Sequence, residues 1–497
     1  MAQSRTAAEV GAEVLRSGGN AVDAAVATSL ALGAVEPWMS GLGGGGCMLV
    51  WIAREQRAFA VEFGMVAPAA LDPSDYPLAG GKGGDLFGWP AVLDDRNVHG
   101  PYSIGVPGYL DGLVTALERF GTQRFADLVA PAADLAEQGL AIDWYASLQV
   151  TNSAAVLRRY PDTASVWLPA GLPPPTDWTG ALPRLPLGAL ATTLRRLADD
   201  GPRSFYEGAT AEQLVGDLAA IGCKLTASDL AGYRATVRPA ESCAYRDASF
   251  ALTGSLFGGP TFARSLEFLD AAAFDAGAPG EKTYVSYARA LKDAFAHRLG
   301  EMGEAAGAPS CTSHLNVVDR EGNIVALTQT LLSLFGSKVL SPSTGILLNN
   351  AIMWFDPRPG RPNSMAPGRR PLANMCPVLG RRSDGRVFAL GASGGRRIIP
   401  AAVQIASFLV DYDMDPETAF ATPRLDLGGG EEITLDARLG TGIAAAVETV
   451  LPVRRMTPAV HPLLWACPTA ALFDPSSGTA TGVAEPFHPW ADAVAAD

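Results

Sequence analysis

The sequence has 497 residues, of which 48% are hydrophobic and 18% are charged, and it carries a formal net charge of −13. This acidic balance excludes the positively charged footprint that nucleic-acid binding requires. No uninterrupted apolar run reaches about 18 residues, so we expect no membrane-spanning helix. The length would allow two or three domains, but no stretch has a linker's composition, and we expect one globular unit.

The cysteines and histidines indicate no metal site. The six cysteines are scattered without C-x-x-C spacing, which predicts neither a zinc site nor a disulfide framework. The histidines at positions 99, 297, 461 and 488 also lack metal-ligand spacing, so we expect no metal and no cofactor. The first five residues lack the basic segment and apolar core of a secretory signal. We therefore expect a cytoplasmic protein, unless the start of the chain has been trimmed.

The N-terminal part predicts two helices followed by a strand. Residues 6–34 are helical in character apart from a break at 17–20, where Asn20 can cap the second helix. Four glycines at 43–46 precede a predicted strand at 47–52. Their order and spacing do not fit a phosphate-binding loop. We expect them to allow close backbone packing against a central sheet.

The middle of the chain is predicted to be mainly helical. Helices are expected to alternate with loops from Leu110 to about Asp270, and residues 284–298 form an amphipathic helix. A run of small residues at 303–310 follows, which has the composition of an exposed loop. The loop leads directly into the most informative stretch of the sequence.

That stretch predicts a β-hairpin headed by a threonine. Residues 313–318 alternate as a half-buried strand does, residues 320–323 supply turn types, and residues 324–331 form a second strand. The tight turn brings Thr330 opposite Thr312. A flexible loop ending at Thr312 suits a chain that cuts itself there. From Gly391 onward, short strands alternate with helices such as 401–412, and the chain ends in a tail rich in Pro, Gly and Ala.

Several motifs of this region resemble the gamma-glutamyltranspeptidase family. They are Thr312-Ser-His314, Phe335-Gly-Ser337, Thr344-Gly-Ile-Leu-Leu-Asn-Asn350, Pro367-Gly-Arg-Arg-Pro-Leu-Ala-Asn-Met375 and Gly391-Ala-Ser-Gly-Gly-Arg396. Further landmarks occur upstream in family order, so the resemblance covers nearly the whole chain. It implies a self-processing N-terminal-nucleophile hydrolase with an α/β, four-layer αββα sandwich fold.

The resemblance also implies how the chain is divided and which residues act. Cleavage between Cys311 and Thr312 would give a helix-rich large segment, 1–311, and a small segment, 312–497, that stay together as one unit. Thr312 would be the nucleophile, and its freed α-amine, with a pKa of about 7.7–8.0, would be its base. Thr330 matches the family residue that hydrogen-bonds the nucleophile. Gly394 and Gly395 match the pair whose N–H groups form the oxyanion hole.

His314 offers an alternative general base beside Ser313. Adjacent residues on a strand point to opposite faces, so these two side chains cannot form a nucleophile–base contact. We therefore reject a serine triad.

At six positions the sequence differs from the residues that bind the γ-glutamyl group in the family. The family's charged or polar contacts are replaced here by Gly64, Leu332, Ala351, Trp354, Ala373 and Asn374. Desolvating a zwitterion without paired charges is costly, so this pocket should reject γ-glutamyl groups. An apolar or aromatic acyl group, oriented by contacts such as Asn374, is expected instead. A pocket simply filled by Trp354 remains open, and Arg370, Arg396 and Arg397 leave open a small carboxylate-bearing amide.

Three hypotheses follow for the activity. The first is an autoprocessing amidohydrolase that uses a non-γ-glutamyl acyl group. The second is a γ-glutamyl hydrolase or transferase with rearranged contacts. The third is a non-enzymatic relative that folds but never cleaves. The expected partners are a small amide or peptide substrate and the two segments of the chain itself, with further copies of the processed unit possible.

Overall fold

The structure, a computed structural model, describes residues 1–83, 88–175, 180–254, 256–302, 311–460 and 465–496. Within these ranges the helices are α1 Arg5–Arg16, α2 Ala21–Val35, α3 Tyr109–Phe120, α4 Phe125–Gln138, α5 Trp144–Leu157, α6 Pro161–Trp167, α7 Leu190–Asp200, α8 Ser204–Glu207, α9 Ala209–Ala220, α10 Ala227–Gly232, α11 Gly259–Asp270, α12 Glu281–His297, α13 Ile398–Asp411, α14 Pro416–Ala421 and α15 Thr441–Glu448. The strands are β1 Gly45–Ile52, β2 Arg57–Phe63, β3 Leu78–Lys82, β4 Pro90–Val92, β5 Leu140–Ala141, β6 Arg184–Leu185, β7 Thr236–Pro239, β8 Glu241–Tyr245, β9 Ala248–Leu252, β10 Cys311–Val318, β11 Ile324–Leu332, β12 Leu340–Ser341, β13 Ile346–Leu347, β14 Val378–Arg382, β15 Val387–Ser393, β16 Leu425–Asp426, β17 Ile433–Asp436, β18 Val453–Met456, β19 Cys467–Asp474 and β20 Thr479–Ala484.

Two antiparallel sheets form the centre of the molecule. The first sheet has the order β10-β11-β1-β2-β7, and the second has the order β20-β19-β15-β14-β9-β8. They pack face to face through β10, β11, β15 and β19, over an apolar layer that includes Leu49, Ile324 and Leu379. Helices α2 and α3 cover the outer face of the first sheet, and α11 and α13 cover that of the second. This is the expected four-layer αββα sandwich.

The predicted hairpin is present as β10 and β11. Its strands pair from Ser313 opposite Gln329 to Val318 opposite Ile324, and the register shifts between Cys311 and Ser313. The Asp319 carboxylate closes the turn by accepting the backbone N–H groups of residues 321 and 323. The irregularity in the register falls at Thr312, and such bulges re-aim a side chain at the end of a strand.

The glycines at 43–46 allow the close backbone approach that the sequence predicts. A Cβ at Gly44 would overlap the carbonyl oxygen of Thr330, and one at Gly46 would overlap that of Thr328. Because β1 pairs with β11 along its length, side chains here would push β11 and Thr330 out of place. The glycines are therefore needed to seat the strand that carries Thr330.

Two predictions about secondary structure are wrong. The strand at 313–318 is not half-buried: its side chains through Val317 are buried on both faces, because β10 lies between a helix layer and the second sheet. The segment 110–270 contains β7, which joins the first sheet, and β8 and β9, which form an edge of the second. By contrast, the strands expected after Gly391 are present and include β19 and β20, of which β19 pairs with β15 in the second sheet.

Other predicted elements are confirmed. Helices α1 and α2 are separated at the predicted break, and Asn20 caps α2 by accepting the N–H groups of Val22 and Asp23. The predicted strand at 47–52 is contained in β1, and the predicted helices at 284–298 and 401–412 largely coincide with α12 and α13. In the described part of the chain, no helix is long and apolar enough to cross a bilayer.

Candidate active site

The threonine at the start of β10 lies beside a second threonine on β11. Thr312 is 3% exposed, and its Oγ1 atom is 3.5 Å from Oγ1 of Thr330, the outer limit of a hydrogen bond. Thr330 Oγ1 also accepts the backbone N–H of Leu332 at 2.7 Å. The hairpin thus brings together the two threonines that the sequence singled out. The loop at 303–310, which leads to the predicted cleavage site between Cys311 and Thr312, lies outside the described residues, as does the side chain of Cys311.

Ser313 and His314 turn to opposite faces of β10. Ser313 Oγ donates to Oε2 of Glu36 at 2.9 Å, whereas the His314 ring contacts Thr328 Oγ1 at 2.8 Å and Asn316 Oδ1 at 3.1 Å. Burial lowers the pKa of His314 to about 3, so its ring is neutral near pH 7. The two side chains make no nucleophile–base contact with each other.

A buried polar cluster lies behind Ser313. Glu36, at the end of α2, is fully buried, and desolvation raises the pKa of its carboxyl to about 8. Ser40 Oγ donates to Ser313 Oγ at 3.3 Å and accepts from Gln329 Nε2 at 2.9 Å. These bonds connect the N-terminal segment to the residue next to Thr312. They therefore hold the start of β10 from the side opposite Thr312.

Gly394 and Gly395 form a turn, called here the glycine turn, between β15 and α13. Their φ angles are +125° and +65°, in a region that residues other than glycine rarely adopt. Gly395 opens a 3-10 turn that continues into α13, so the backbone N–H groups here lie at the N-terminal end of a helix. Such N–H groups carry partial positive charge and suit a developing oxyanion.

Contacts between the sheets relate Thr312 to the glycine turn. Asn316 Nδ2 donates to the Thr469 carbonyl oxygen at 3.0 Å. Gln3 lies beside residue 314 at the edge of the first sheet. Its side chain donates at 3.4 Å to the carbonyl oxygen of Cys467, which lies two residues before Thr469 in β19. Cys467 pairs with the last residue of β15. From residue 316 toward Thr312, β10 therefore approaches the end of β15 that leads into the glycine turn.

The predicted acyl-site residues largely come together. Ten buried side chains, called here the apolar cluster, pack together: Cys47, Met65, Trp89, Phe257, Leu332, Ala351, Met353, Trp354, Ala373 and Met375. Four of the six predicted pocket residues belong to this cluster. One end of the cluster lies beside the two threonines, because the backbone N–H of Leu332 donates to Thr330 Oγ1.

A small cavity of about 40 Å³ adjoins the apolar cluster. Its lining includes Gly64, Trp354 and Ala373, together with Arg370 and Glu62. Gly64, the remaining predicted pocket position on the large segment, therefore lies at this cavity. A volume of this size holds a water molecule or one small substituent. The space is not completely filled by Trp354.

Asn374 is held by an arginine that sequence reasoning did not identify. Arg298 is buried, and its guanidinium donates to the carbonyl oxygens of Phe257 and Ala373, to Thr261 Oγ1 and to Asn374 Oδ1, at 2.6–3.2 Å. Burial lowers the Arg298 pKa to about 10, which leaves it charged at neutral pH. Asn374 thus has its side-chain oxygen committed to the protein.

The other arginines noted in the sequence have different surroundings. Arg370 lines the cavity, and its Nη1 donates to the Gly64 carbonyl oxygen at 2.5 Å. Arg396 is buried, with its guanidinium over the ring of Trp89 in the apolar cluster. Arg397 lies 3.6 Å from the Asp426 carboxylate. Of the three, only Arg370 lines this cavity.

Glu36 and Arg298 gave only weak signals in the sequence. Glu36 follows an almost wholly apolar helix, which is an unusual place for an acidic side chain. Arg298 ends an amphipathic helix, where an arginine is ordinarily exposed. Their partners are distant along the chain, so their roles depend on the tertiary fold.

The four-layer sandwich, with a threonine at the start of a strand that lies at the interface between the two sheets, defines the class of N-terminal-nucleophile hydrolases. The sequence model of the gamma-glutamyltranspeptidase family matches residues 7–311 and 300–450. The chain therefore belongs to the gamma-glutamyltranspeptidase family.

Individual relatives include acylases and glutathione hydrolases. The chain is 32% identical to the Acylase ACY 1 proenzyme of Pseudomonas sp. (strain V22), over 96% of this chain and 90% of the relative. It is 29% identical to the Glutathione hydrolase proenzyme of Bacillus subtilis (strain 168), over 84% of this chain and 78% of that relative. Its fold is similar to cephalosporin acylase from Bacillus halodurans, with a TM-score of 0.85, 22% identity and coverage of 98% and 93%. Helicobacter pylori gamma-glutamyltranspeptidase gives a TM-score of 0.53 with 28% identity, over 60% of this chain and 82% of that structure.

Proposed function

We propose that this chain is a self-processing amidohydrolase that uses Thr312 as its nucleophile and accepts an acyl group other than γ-glutamyl. In the precursor, the Thr312 hydroxyl attacks the carbonyl carbon of Cys311 and the peptide bond becomes an ester. Water hydrolyses this ester, which leaves a carboxylate on Cys311 and a free α-amine on Thr312. Relatives named as proenzymes support the processing step.

In the mature protein the α-amine of Thr312 takes the proton of its own hydroxyl. The Thr312 oxygen attacks the substrate carbonyl, and the N–H groups of the glycine turn stabilise the resulting oxyanion. The amine then gives its proton to the leaving nitrogen, and water hydrolyses the acyl ester. Removing one oxyanion donor in other enzymes costs about 10²–10³ in kcat. Thr330, on β11, orients the nucleophile through the contact between its hydroxyl and that of Thr312.

The apolar cluster is the observation that carries the choice of acyl group. It runs from Leu332, next to Thr330, to Trp354 and Ala373, and these three positions replace polar γ-glutamyl contacts of the family. A bound α-ammonium there would lose its hydration without gaining a carboxylate from these replacements, which is strongly unfavourable. The relative named as an acylase is consistent with this choice.

A panel of chromogenic anilides tests the proposal. The processed protein should hydrolyse hexanoyl or phenylacetyl p-nitroanilide with a kcat/KM at least about tenfold above that for γ-glutamyl p-nitroanilide. The rate should rise with pH through the pKa of a free α-amine, about 7.7–8.0 or lower. Efficient turnover of the γ-glutamyl anilide would favour the family's usual substrate with rearranged contacts. Failure to cleave the chain would favour a non-enzymatic relative.

A further inference from the structure

A buried hydrogen-bond donor belongs to a residue of the candidate acyl site. Trp354 is 5% exposed, and its indole Nε1 has no hydrogen-bond partner in the described part of the protein. A buried N–H without an acceptor is unfavourable, and native proteins ordinarily satisfy such groups. Because Trp354 also lines the small cavity, a group that enters the site can supply the acceptor that this donor lacks.

Trp38, Trp167 and Trp465 also carry an indole Nε1 without a hydrogen-bond partner in the described part of the protein, but none of the three lines this cavity. Trp167 meets Phe335 edge to face, with ring centroids 4.8 Å apart, and Trp38 meets Tyr145 in a similar way at 6.4 Å. An aromatic face can accept a weak N–H hydrogen bond. Trp354 makes no ring contact with any described aromatic residue, so this explanation does not apply to it.

The polar groups around Trp354 determine what kind of group is missing. Oε1 of Glu62, which lines the same cavity, already accepts from Arg238 Nη2 and the Gly254 N–H, each at 2.7 Å. The carbonyl oxygen of Gly64 already accepts from Arg370. Glu62 Oε1 and the Gly64 carbonyl oxygen are thus occupied, so a group that pairs with the free indole N–H must bring its own acceptor.

The surroundings also determine the charge of that acceptor. Nη1 of Arg370 donates to Gly64 and Tyr233, and its Nη2 donates to the carbonyl oxygen of Arg234. Its charge is therefore already solvated by the protein, and the Glu62 carboxylate would repel an anion at the cavity. A neutral oxygen suits this place better than a carboxylate.

We propose that the Trp354 indole N–H selects acyl groups that carry a neutral oxygen acceptor, such as a keto or ether oxygen, on an otherwise apolar chain. This inference rests on the proposed function and specifies its substrate class. The chain of the acyl group would pass Leu332 and pack in the apolar cluster. Its oxygen would accept from Trp354 beside the cavity.

Matched pairs of acyl anilides test this. Each pair compares an oxo-substituted acyl chain with the chain that has a methyl branch at the same carbon, for example 5-oxohexanoyl with 5-methylhexanoyl. With the oxo group scanned along the chain, at least one pair should show about a tenfold preference for oxygen, the effect of one hydrogen bond to a buried donor. Trp354→Phe keeps an aromatic ring without the N–H and should abolish the difference in kcat/KM between the oxo and methyl-branched substrates, whatever the overall rate of the variant. Trp167→Phe, which changes a buried indole on α6, should keep it.

Two results would overturn the inference: no oxo position preferred by the wild type, or a preference that survives in Trp354→Phe. Calorimetric binding of the free acids to the processed wild type provides a second measurement that needs no chemistry. Preferential binding of an oxo acid without hydrolysis of any amide would sink the proposed function and leave this inference standing. Equal binding of both acids would sink the inference alone.

Discussion

At the scale of single residues, Glu36 illustrates how a buried carboxyl links stability to pH. Desolvation raises its pKa from 4.5 to about 8, and the bond donated by Ser313 opposes this rise only in part. The folded protein thus holds a proton on Glu36 where the unfolded chain has lost it. The stability that this proton contributes is fully present below pH 4.5 and is lost as pH rises toward about 8.

Glu36→Gln should therefore stabilise the protein at alkaline pH. Glutamine keeps an acceptor for Ser313 but cannot ionise, and each unit of pKa shift corresponds to about 1.4 kcal/mol. The melting temperature of the variant should exceed that of the wild type by a few degrees at pH 8, and the gap should close near pH 5. Thermal unfolding at several pH values measures this. Glu118→Gln, on the exposed face of α3, should show no such trend, and a constant gap for Glu36→Gln would contradict the account.

Two substitutions in the proposed acyl site should reverse the substrate specificity. A Cβ at Gly64 would meet only the Phe257 ring, at an ordinary 3.5 Å, so the backbone accepts a side chain there. Gly64→Arg with Trp354→Asp would supply one carboxylate partner and one ammonium partner, each worth about 1.5–3 kcal/mol. The γ-glutamyl kcat/KM should rise about tenfold or more, while activity on the apolar amide falls because a charge now lies in its pocket. Steady-state kinetics measure both, with Trp354→Phe as the control without charge, and an unchanged ratio would refute the proposed pocket.

The residues of the candidate site were partly accessible from sequence. The positions of Thr312 and Thr330 followed from turn residues and strand alternation, which are local patterns. Leu332, Ala351, Trp354 and Ala373 could be grouped only through the family resemblance, since they belong to separate loops and strand ends. Glu36 and Arg298 were missed, because their partners lie on elements that only the tertiary fold brings to them.

At the scale of elements, Arg298 fastens the end of α12 to the loop that carries Ala373 and Asn374. It lies on the large segment, 13 residues before Cys311 at the predicted cleavage site, while its acceptors at 373 and 374 lie on the small segment. The guanidinium thus spans the two segments beside the apolar cluster. Its position favours a role in holding the acyl site together after cleavage.

Arg298→Met should destabilise the protein and slow its processing. The substitution leaves the buried carbonyl oxygens of Phe257 and Ala373 without this donor, at a cost of about 1–3 kcal/mol each. We expect a lower melting temperature and a smaller cleaved fraction at a fixed time after synthesis. Calorimetry and denaturing gels measure these quantities. Arg289→Met, at an exposed position of the same helix, is the matched control, and equal behaviour of the two variants would argue against the fastening role.

The elements predicted well are those with strong local signals. A capping asparagine defined α2, and turn residues between alternating strands defined β10 and β11. The strands β7, β8 and β9 are short, and several of their residues are exposed, so they lacked a clear apolar alternation. The burial of β10 on both faces depends on the packing of a second sheet, which no local pattern contains.

At the scale of the whole molecule, the two segments share both sheets. The strand β11 of the small segment pairs with β1 of the large one from Thr330 opposite Gly45 to Ile324 opposite Trp51. In the second sheet, β14 pairs with β9 from Val378 opposite Leu252 onward. Separating the segments would therefore break the hydrogen bonds in the middle of both sheets and expose the layer between them.

Cleavage should leave the two segments associated. Under native conditions the processed protein should elute in size-exclusion chromatography as one species containing both pieces in equal amounts. On a denaturing gel it should resolve into two bands. Elution of the pieces as separate species in native buffer would contradict the shared sheets. Dissociation only at denaturant concentrations that also remove secondary structure would support them.

The central claim is that Thr312 becomes a new amino terminus and the nucleophile. Amino-terminal sequencing of the smaller piece, with intact masses of wild type and Thr312→Ala, tests it most directly. The account predicts a wild-type fragment that begins Thr-Ser-His-Leu, and a Thr312→Ala protein that stays one chain and hydrolyses no amide. A fragment that begins at any other residue, or a Thr312→Ala protein that still cleaves, would contradict it.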